Sequence, residues 1–181
     1  STSVDKEEVV LMFTAHSLPL SMAKCTDYEA QLQEACNLVG QVVGINSWQL
    51  VYQSNNASYG EPWLEPDIAN ALEKVKSSGR SHVVIMPIGF VCDHMEVVLD
   101  LDIEAKEQAD NLGLQLTRAA TVGSHPAYIS MVRELIIERM SKNPDRQYLG
   151  GRGANGDYCK PDCCLSGRPG NPKPTLCGIG S

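Results

Sequence analysis

The sequence predicts an α/β protein, a Rossmann-like four-stranded parallel sheet flanked by helices, with a Cys-rich carboxyl-terminal tail. Three observations carry that expectation. Short apolar runs alternate four times with longer amphipathic stretches, the pattern of βαβ units with helices on both faces of a sheet. No sequence repeat with a period of about 20–50 residues underlies the alternation, which excludes a solenoid. The 181 residues fit one compact domain plus an appendage, since single domains run to about 100–200 residues.

The elements follow in order. Residues 9–13 form the first strand, and residues 27–43 the first long helix. Residues 48–52 form the second strand; a loop rich in Asn, Gly and Pro leads to a helix over 66–78, closed by Gly79. Residues 82–86 form the third strand, and a long helix over 93–112 ends at Gly113. The last pair is a strand over 114–119 and a helix over 126–140. Domain organisation reads as an α/β domain over 1–148 and a tail over 149–181. From Gly150 onward lie eight of the 15 glycines, four of the ten prolines and four of the seven cysteines. Gly and Pro interrupt helix and strand alike, so something other than an apolar core must order that tail.

Composition narrows the function. With 22 acidic and 15 basic side chains the net charge is −7, which argues against nucleic acid and anionic membranes. A hydrophobic fraction of 43% suffices for a core,. No apolar stretch approaches a membrane span, and the charged start reads as no signal peptide. The expected compartment is cytoplasmic, where cysteines are thiols or metal ligands rather than disulfides.

Ligands of such sheets bind outside the carboxyl ends of the strands, so the loops over 14–21, 53–62 and 87–93 share the candidate site. There is no Gly-x-Gly-x-x-Gly and no Gly-Lys-Ser/Thr motif, which removes the dinucleotide and P-loop readings. His16, directly after the first strand, is a base or metal ligand, or a turn histidine. Asp93, Glu96, Asp100, Glu104 and Glu107 share one helical face,. That stripe is either a solvated surface or a file of carboxylates passing cations or protons toward the strand ends, with Glu96 opposite His16. Trp63 either packs its loop or offers a flat wall to a planar ligand, with Tyr59 and Phe90 on neighbouring loops. Cys36 reads as core, and Cys92 as a site-edge thiol with nothing cationic near it. Cys159, Cys163, Cys164 and Cys177 suggest a metal or iron–sulfur site, or zinc, in a spacing unlike a standard zinc ribbon.

Three segments make the chain resemble the carboxyl-terminal half of the ferrochelatase family: Phe13-Thr14-Ala15-His16-Ser17-Leu18-Pro19, then Gln53-Ser54 with Glu61-Pro62-Trp63-Leu64-Glu65-Pro66-Asp67, and residues 87–104. The wording of the second is most similar to actinobacterial-type members. The resemblance implies a chelatase-type fold and insertion of Fe(II) into a porphyrin, coproporphyrin III or protoporphyrin IX, in heme biosynthesis. It implies His16 and Glu96 as catalytic and iron-binding residues, and Asp100 as the next member of the iron path. Trp63, Ser17 and Phe90 fall on the substrate side, and Cys159, Cys163, Cys164 and Cys177 become ligands of a [2Fe–2S] cluster. It departs from the family at Cys92, where serine is usual, and in the tail spacing. The implied partners are the porphyrin and the missing amino-terminal half. The alternative is a non-catalytic or homodimeric tetrapyrrole- or metal-binding module of the small chelatase type. A small flavodoxin-like signalling domain would not need His16, Trp63 or the tail.

Overall fold

A computed structural model of the chain describes residues 8–56 and 60–158. The four tail cysteines and Tyr59 lie outside the described residues. The described part contains a four-stranded sheet in the order β2-β1-β3-β4, with β1 Val9–His16, β2 Trp48–Gln53, β3 His82–Met86 and β4 Gln115–Arg118. Every pairing is parallel. Helices α1 (Leu20–Ala23) and α2 (Tyr28–Val43) follow β1, and α3 (Ile68–Ser77) follows β2. After β3 come α4 (Met95–Val97), a π-helical segment (Val98–Glu104) and α5 (Ala105–Leu112) in unbroken succession. Helix α6 (Pro126–Met140) follows β4.

Strand β1 shows how the sequence builds two layers. Its side chains alternate between faces. Val10 and Met12 pack with Val83, Ile85, Leu72, Val97 and Leu101 under α3 and the π segment. Leu11, Phe13 and Ala15 pack with Leu32, Cys36 and Leu50 under α1 and α2. Cys36 is fully buried, as expected for a small hydrophobe,. Trp48 meets Phe13 edge-to-face, ring centroids 5.6 Å apart.

Three boundaries differ from the sequence reading. Strand β1 runs on to His16, because Thr14, Ala15 and His16 continue the ladder with Val51, Tyr52 and Gln53 of β2 after the pairing with β3 has ended at Phe13. The second long helix starts at Ile68, because Asp67 caps it through Asn70 N at 2.7 Å while the Pro66 carbonyl accepts from Tyr52 N. The carboxylate-bearing helix is capped by His94 and widens into a π segment instead of continuing as a uniform α-helix. Helix α6 matches its expected span, yet none of its residues is buried, and Ile129, Leu135, Ile136 and Met140 are exposed.

Candidate active site at the strand ends

Strand order reverses between β1 and β3, so their carboxyl ends flank the crevice where such sheets bind ligands. His16 closes β1 there. Its backbone is held from both sides: the Tyr28 hydroxyl donates to the His16 carbonyl at 2.9 Å, and Ser17 N donates to the Gln53 carbonyl at 2.8 Å. The His16 Nδ1 lies 2.5 Å from the Ser17 carbonyl oxygen. A carbonyl can only accept, so Nδ1 is the donor of this contact, and Nε2 is the ring nitrogen left for a second partner. Ser17, expected on the substrate side, is placed inward by the structure. Its side chain is fully buried and its hydroxyl donates to the Leu64 carbonyl at 2.9 Å, stapling β1 to the loop that carries Trp63.

Gly89 brings the third loop to His16. Its N–H donates to the Thr14 carbonyl at 3.0 Å, and a Cβ there would sit 2.8 Å from the Ala15 Cβ. Only a residue without a side chain lets the loop lie against β1 so closely. Phe90, next along, is half-buried against the core and meets the His94 ring edge-to-face at 5.2 Å. It thereby supports the loop from the core side. His94 accepts from Val97 N through Nδ1 at 3.3 Å and starts the helix. Two residues on, Glu96 Oε1 reaches 3.3 Å from His16 Nε2, with the two side chains 46% and 37% exposed.

The five-carboxylate stripe does not survive as one face. A π turn needs more residues than an α turn, so the α-helical register fails beyond Glu96. Asp100 turns toward β2, where Oδ2 accepts from Gln53 Nε2 at 3.0 Å and Ser54 Oγ at 2.6 Å. Asp93 turns toward β4 instead and pairs with Arg118 at 3.0 Å. Asp102, absent from the sequence reading, takes the same guanidinium in a two-pronged contact through Nε at 2.5 Å and Nη2 at 3.0 Å. The Asp102 hydrogen bond, opposed by burial and helped by Asp93, holds Arg118 above the ordinary arginine pKa. Glu104 joins Gln53, Ser54, Asp67, Asp100 and Gln108 around a cleft of about 270 Å³. Among the described residues no three His, Cys, Asp or Glu side chains converge closely enough to enclose a metal ion. His16 and Glu96 are thus an open, two-donor pair.

Trp63 is half-buried, and its backbone bridges to Pro19 beside the start of α1. Cys92 is exposed in the β3 loop. Gly89, Tyr28 and Arg118 were missed from sequence. Gly89 alone carried a signal, a glycine in a short loop at a strand's carboxyl end.

The sequence profile described as Ferrochelatase matches residues 1–140. The chain belongs to the ferrochelatase family. A ferrochelatase of Rhodopirellula baltica is 44% identical over 86% of this chain and 44% of its own length. The coproporphyrin III ferrochelatase of Streptomyces griseus is 38% identical over 94% of this chain and 50% of its own, and that of Mycolicibacterium smegmatis 40% identical over 87% and 49%. The chain therefore spans about half the length of these ferrochelatases. A crystal structure of a protein assigned to cobalamin (vitamin B12) biosynthesis, CbiX of Marinobacter aquaeolei VT8, superposes with a TM-score of 0.55 over 75% of this chain and 99% of that one, at 15% identity. That likeness establishes the chelatase-type fold.

Proposed function

We propose that this chain forms one wall of a ferrochelatase active site, in which His16 and Glu96 hold Fe(II) as it passes into a porphyrin. The observation that carries the reading is the His16 Nε2 to Glu96 Oε1 approach of 3.3 Å, with Nδ1 occupied by the Ser17 carbonyl. A histidine whose far nitrogen is bonded to a carbonyl is oriented as metal ligands are. Imidazole and carboxylate both suit ferrous iron. Two donors, with no third among the described residues to complete a cage, suit an ion that must leave again for four ring nitrogens.

The chemistry needs two events. The macrocycle releases two pyrrole N–H protons, and Fe(II) exchanges its His16 and Glu96 bonds for four bonds to nitrogen. The Glu96 and Asp100 carboxylates are the acceptors at hand while His16 Nε2 ligates the iron, and Nε2 can itself take a proton once the iron has left it. Asp100, oriented by Gln53 and Ser54, is the next carboxylate along the row. The cleft beside it, at about 270 Å³, falls below the 300–1,000 Å³ of ordinary ligand pockets, which suits a hydrated cation on its way in rather than a macrocycle. Trp63 is the proposed flat contact for the ring. Coproporphyrin III is the favoured substrate, since two of the relatives described act under that name.

A planar ring needs a second wall. The other half of a relative-length chain is the proposed partner, supported by the half-length match and by the apolar side chains that α6 leaves exposed. A second copy of this chain is the alternative occupant, and solution mass separates the two. Cys159, Cys163, Cys164 and Cys177 supply the four thiolates that a [2Fe–2S] cluster requires,. A reducing, cytoplasmic setting is the proposed one, since it keeps cysteines available as thiols and metal ligands.

Ferrous insertion into coproporphyrin III and protoporphyrin IX, followed by absorbance with this chain alone and with the complementary half supplied, tests the reading. His16→Ala and Glu96→Gln are expected to abolish insertion in the assembled protein without unfolding it, because both side chains are substantially exposed. Undiminished turnover in both variants would overturn the assignment.

A further inference from the structure

We propose that Arg118 is a positioning residue: its guanidinium, clamped on Asp102 and Asp93, sets the rotation of the α4–π segment and thereby presents Glu96 to His16. The proposal rests on reading His16 and Glu96 as an iron-binding pair and adds the device that assembles it.

Arg118 ends β4 at one edge of the sheet, and its side chain is 18% exposed. Its two partners bracket the functional carboxylates. Asp93 stands just before the cap residue His94, and Asp102 lies within the π segment. Glu96 and Asp100 fall between them in sequence. Asp100 is bonded to Gln53, the last residue of β2 at the other edge of the sheet, and to Ser54 just beyond it. The segment is thus suspended across the central strands, tied through Asp100 on one side and through Asp93 and Asp102 on the other.

That suspension matters because a π segment is a weak determinant of its own register. Its carboxylates repel one another, and in isolation nothing chooses which of them faces His16. Arg118 makes the choice by neutralising Asp93 and Asp102, which leaves Glu96, Asp100 and Glu104 for the strand-end side. A planar fork contacting one carboxylate at two points fixes orientation as well as charge. Lysine keeps the charge and loses the fork.

Binding of Co(II), a visible-absorbing probe of His and carboxylate ligation, tests this on the full chain. Reference variants His16→Ala and Glu96→Gln define the site's signal. Arg118→Met is expected to weaken Co(II) binding about tenfold, the low end of what loss of an outer-shell partner costs. Arg118→Lys should fall between Arg118→Met and wild type, and Asp102→Asn provides a second route should Arg118→Met fold poorly. Val10→Ala supplies a variant of reduced stability far from the site, since Val10 is buried six residues before His16 on β1. Weakened binding in the Arg118 and Asp102 variants, with wild-type binding in Val10→Ala, supports the proposal. Wild-type Co(II) affinity and spectrum in folded Arg118→Met or Asp102→Asn overturn it, as does an equal loss in Val10→Ala. If His16→Ala and Glu96→Gln both bind Co(II) as wild type does, the iron-pair reading has failed and the positioning role falls with it.

Discussion

The Tyr28 hydroxyl on α2 donates to the backbone carbonyl of His16 at 2.9 Å. The bond ties the first long helix to the tip of the central strand and fixes the peptide from which the His16 ring projects. Burial raises the phenol's pKa, so the donor keeps its proton throughout the physiological range,. Tyr28→Phe should therefore cost about 1–2 kcal/mol, the usual loss for a hydrogen bond whose acceptor stays behind. Urea denaturation of the two proteins measures it. Equal midpoints would mean that the carbonyl finds water instead and that the tie is not structural.

The strand-end rule made His16 and Glu96 legible in sequence: both precede or follow strands of one parallel sheet, and both bear groups that need an edge. The alternation of Leu11, Phe13 and Ala15 with Val10 and Met12 was equally legible, because period two belongs to the strand itself. What failed was everything that depends on helix phase. An α-helical wheel assigns Asp93 to the Glu96 face and ignores Asp102, whereas Asp93 lies ahead of the His94 cap, Asp102 lies in the π segment, and both pair with Arg118. The phase is set by groups on β2 and β4, distant in sequence, so no local spacing encodes it. The burial of Ser17 had no local signal either, because the carbonyl that takes its hydroxyl belongs to Leu64, on a loop distant in sequence.

Gly89→Ala should separate Glu96 from His16. The added methyl would sit 2.8 Å from the Ala15 Cβ and 2.9 Å from its Cα, a clash that rigid backbone on both sides can relieve only by moving the loop. Overpacking of this kind costs about 1–3 kcal/mol. Co(II) binding should weaken alongside the stability loss. Ala15→Gly combined with Gly89→Ala should recover part of both, since the two substitutions share one contact. An additive double variant would show that the close approach is not what Gly89 provides.

Cys36 predicts how stability changes with alkaline pH. Burial pushes its thiol from an ordinary value of 9.0 up to about 12, because the thiolate is disfavoured away from water. The unfolded chain therefore ionises first. The contribution is fully present below pH 9 and is lost progressively as pH rises toward about 12,. Tyr52, also raised chiefly by burial, adds to the decline at the upper end. Between pH 8 and about 10, below the ordinary tyrosine range, Cys36→Ala should flatten the fall in unfolding free energy while lowering its plateau. A slope unchanged by the substitution would assign the decline to other groups.

The tail cysteines give a prediction that colour alone can decide. Residues 150–181 contain eight glycines and four prolines, and ordering such a segment costs about 1–2 kcal/mol per backbone residue. Apolar burial cannot offset that in so polar a stretch, whereas ligation to thiolates can. Cys163 and Cys164 are adjacent, which is awkward around one tetrahedral ion and easier when two irons share the four sulfurs. Anaerobically purified protein should be red-brown, contain iron and acid-labile sulfide in equal amounts, and lose its visible bands when Cys163 and Cys164 are both replaced by serine. The His16–Glu96 pair should still bind Co(II) in that double variant, because no described contact links it to the tail. Colourless protein carrying stoichiometric zinc, or no metal, would end the cluster assignment and leave the iron-insertion reading untouched.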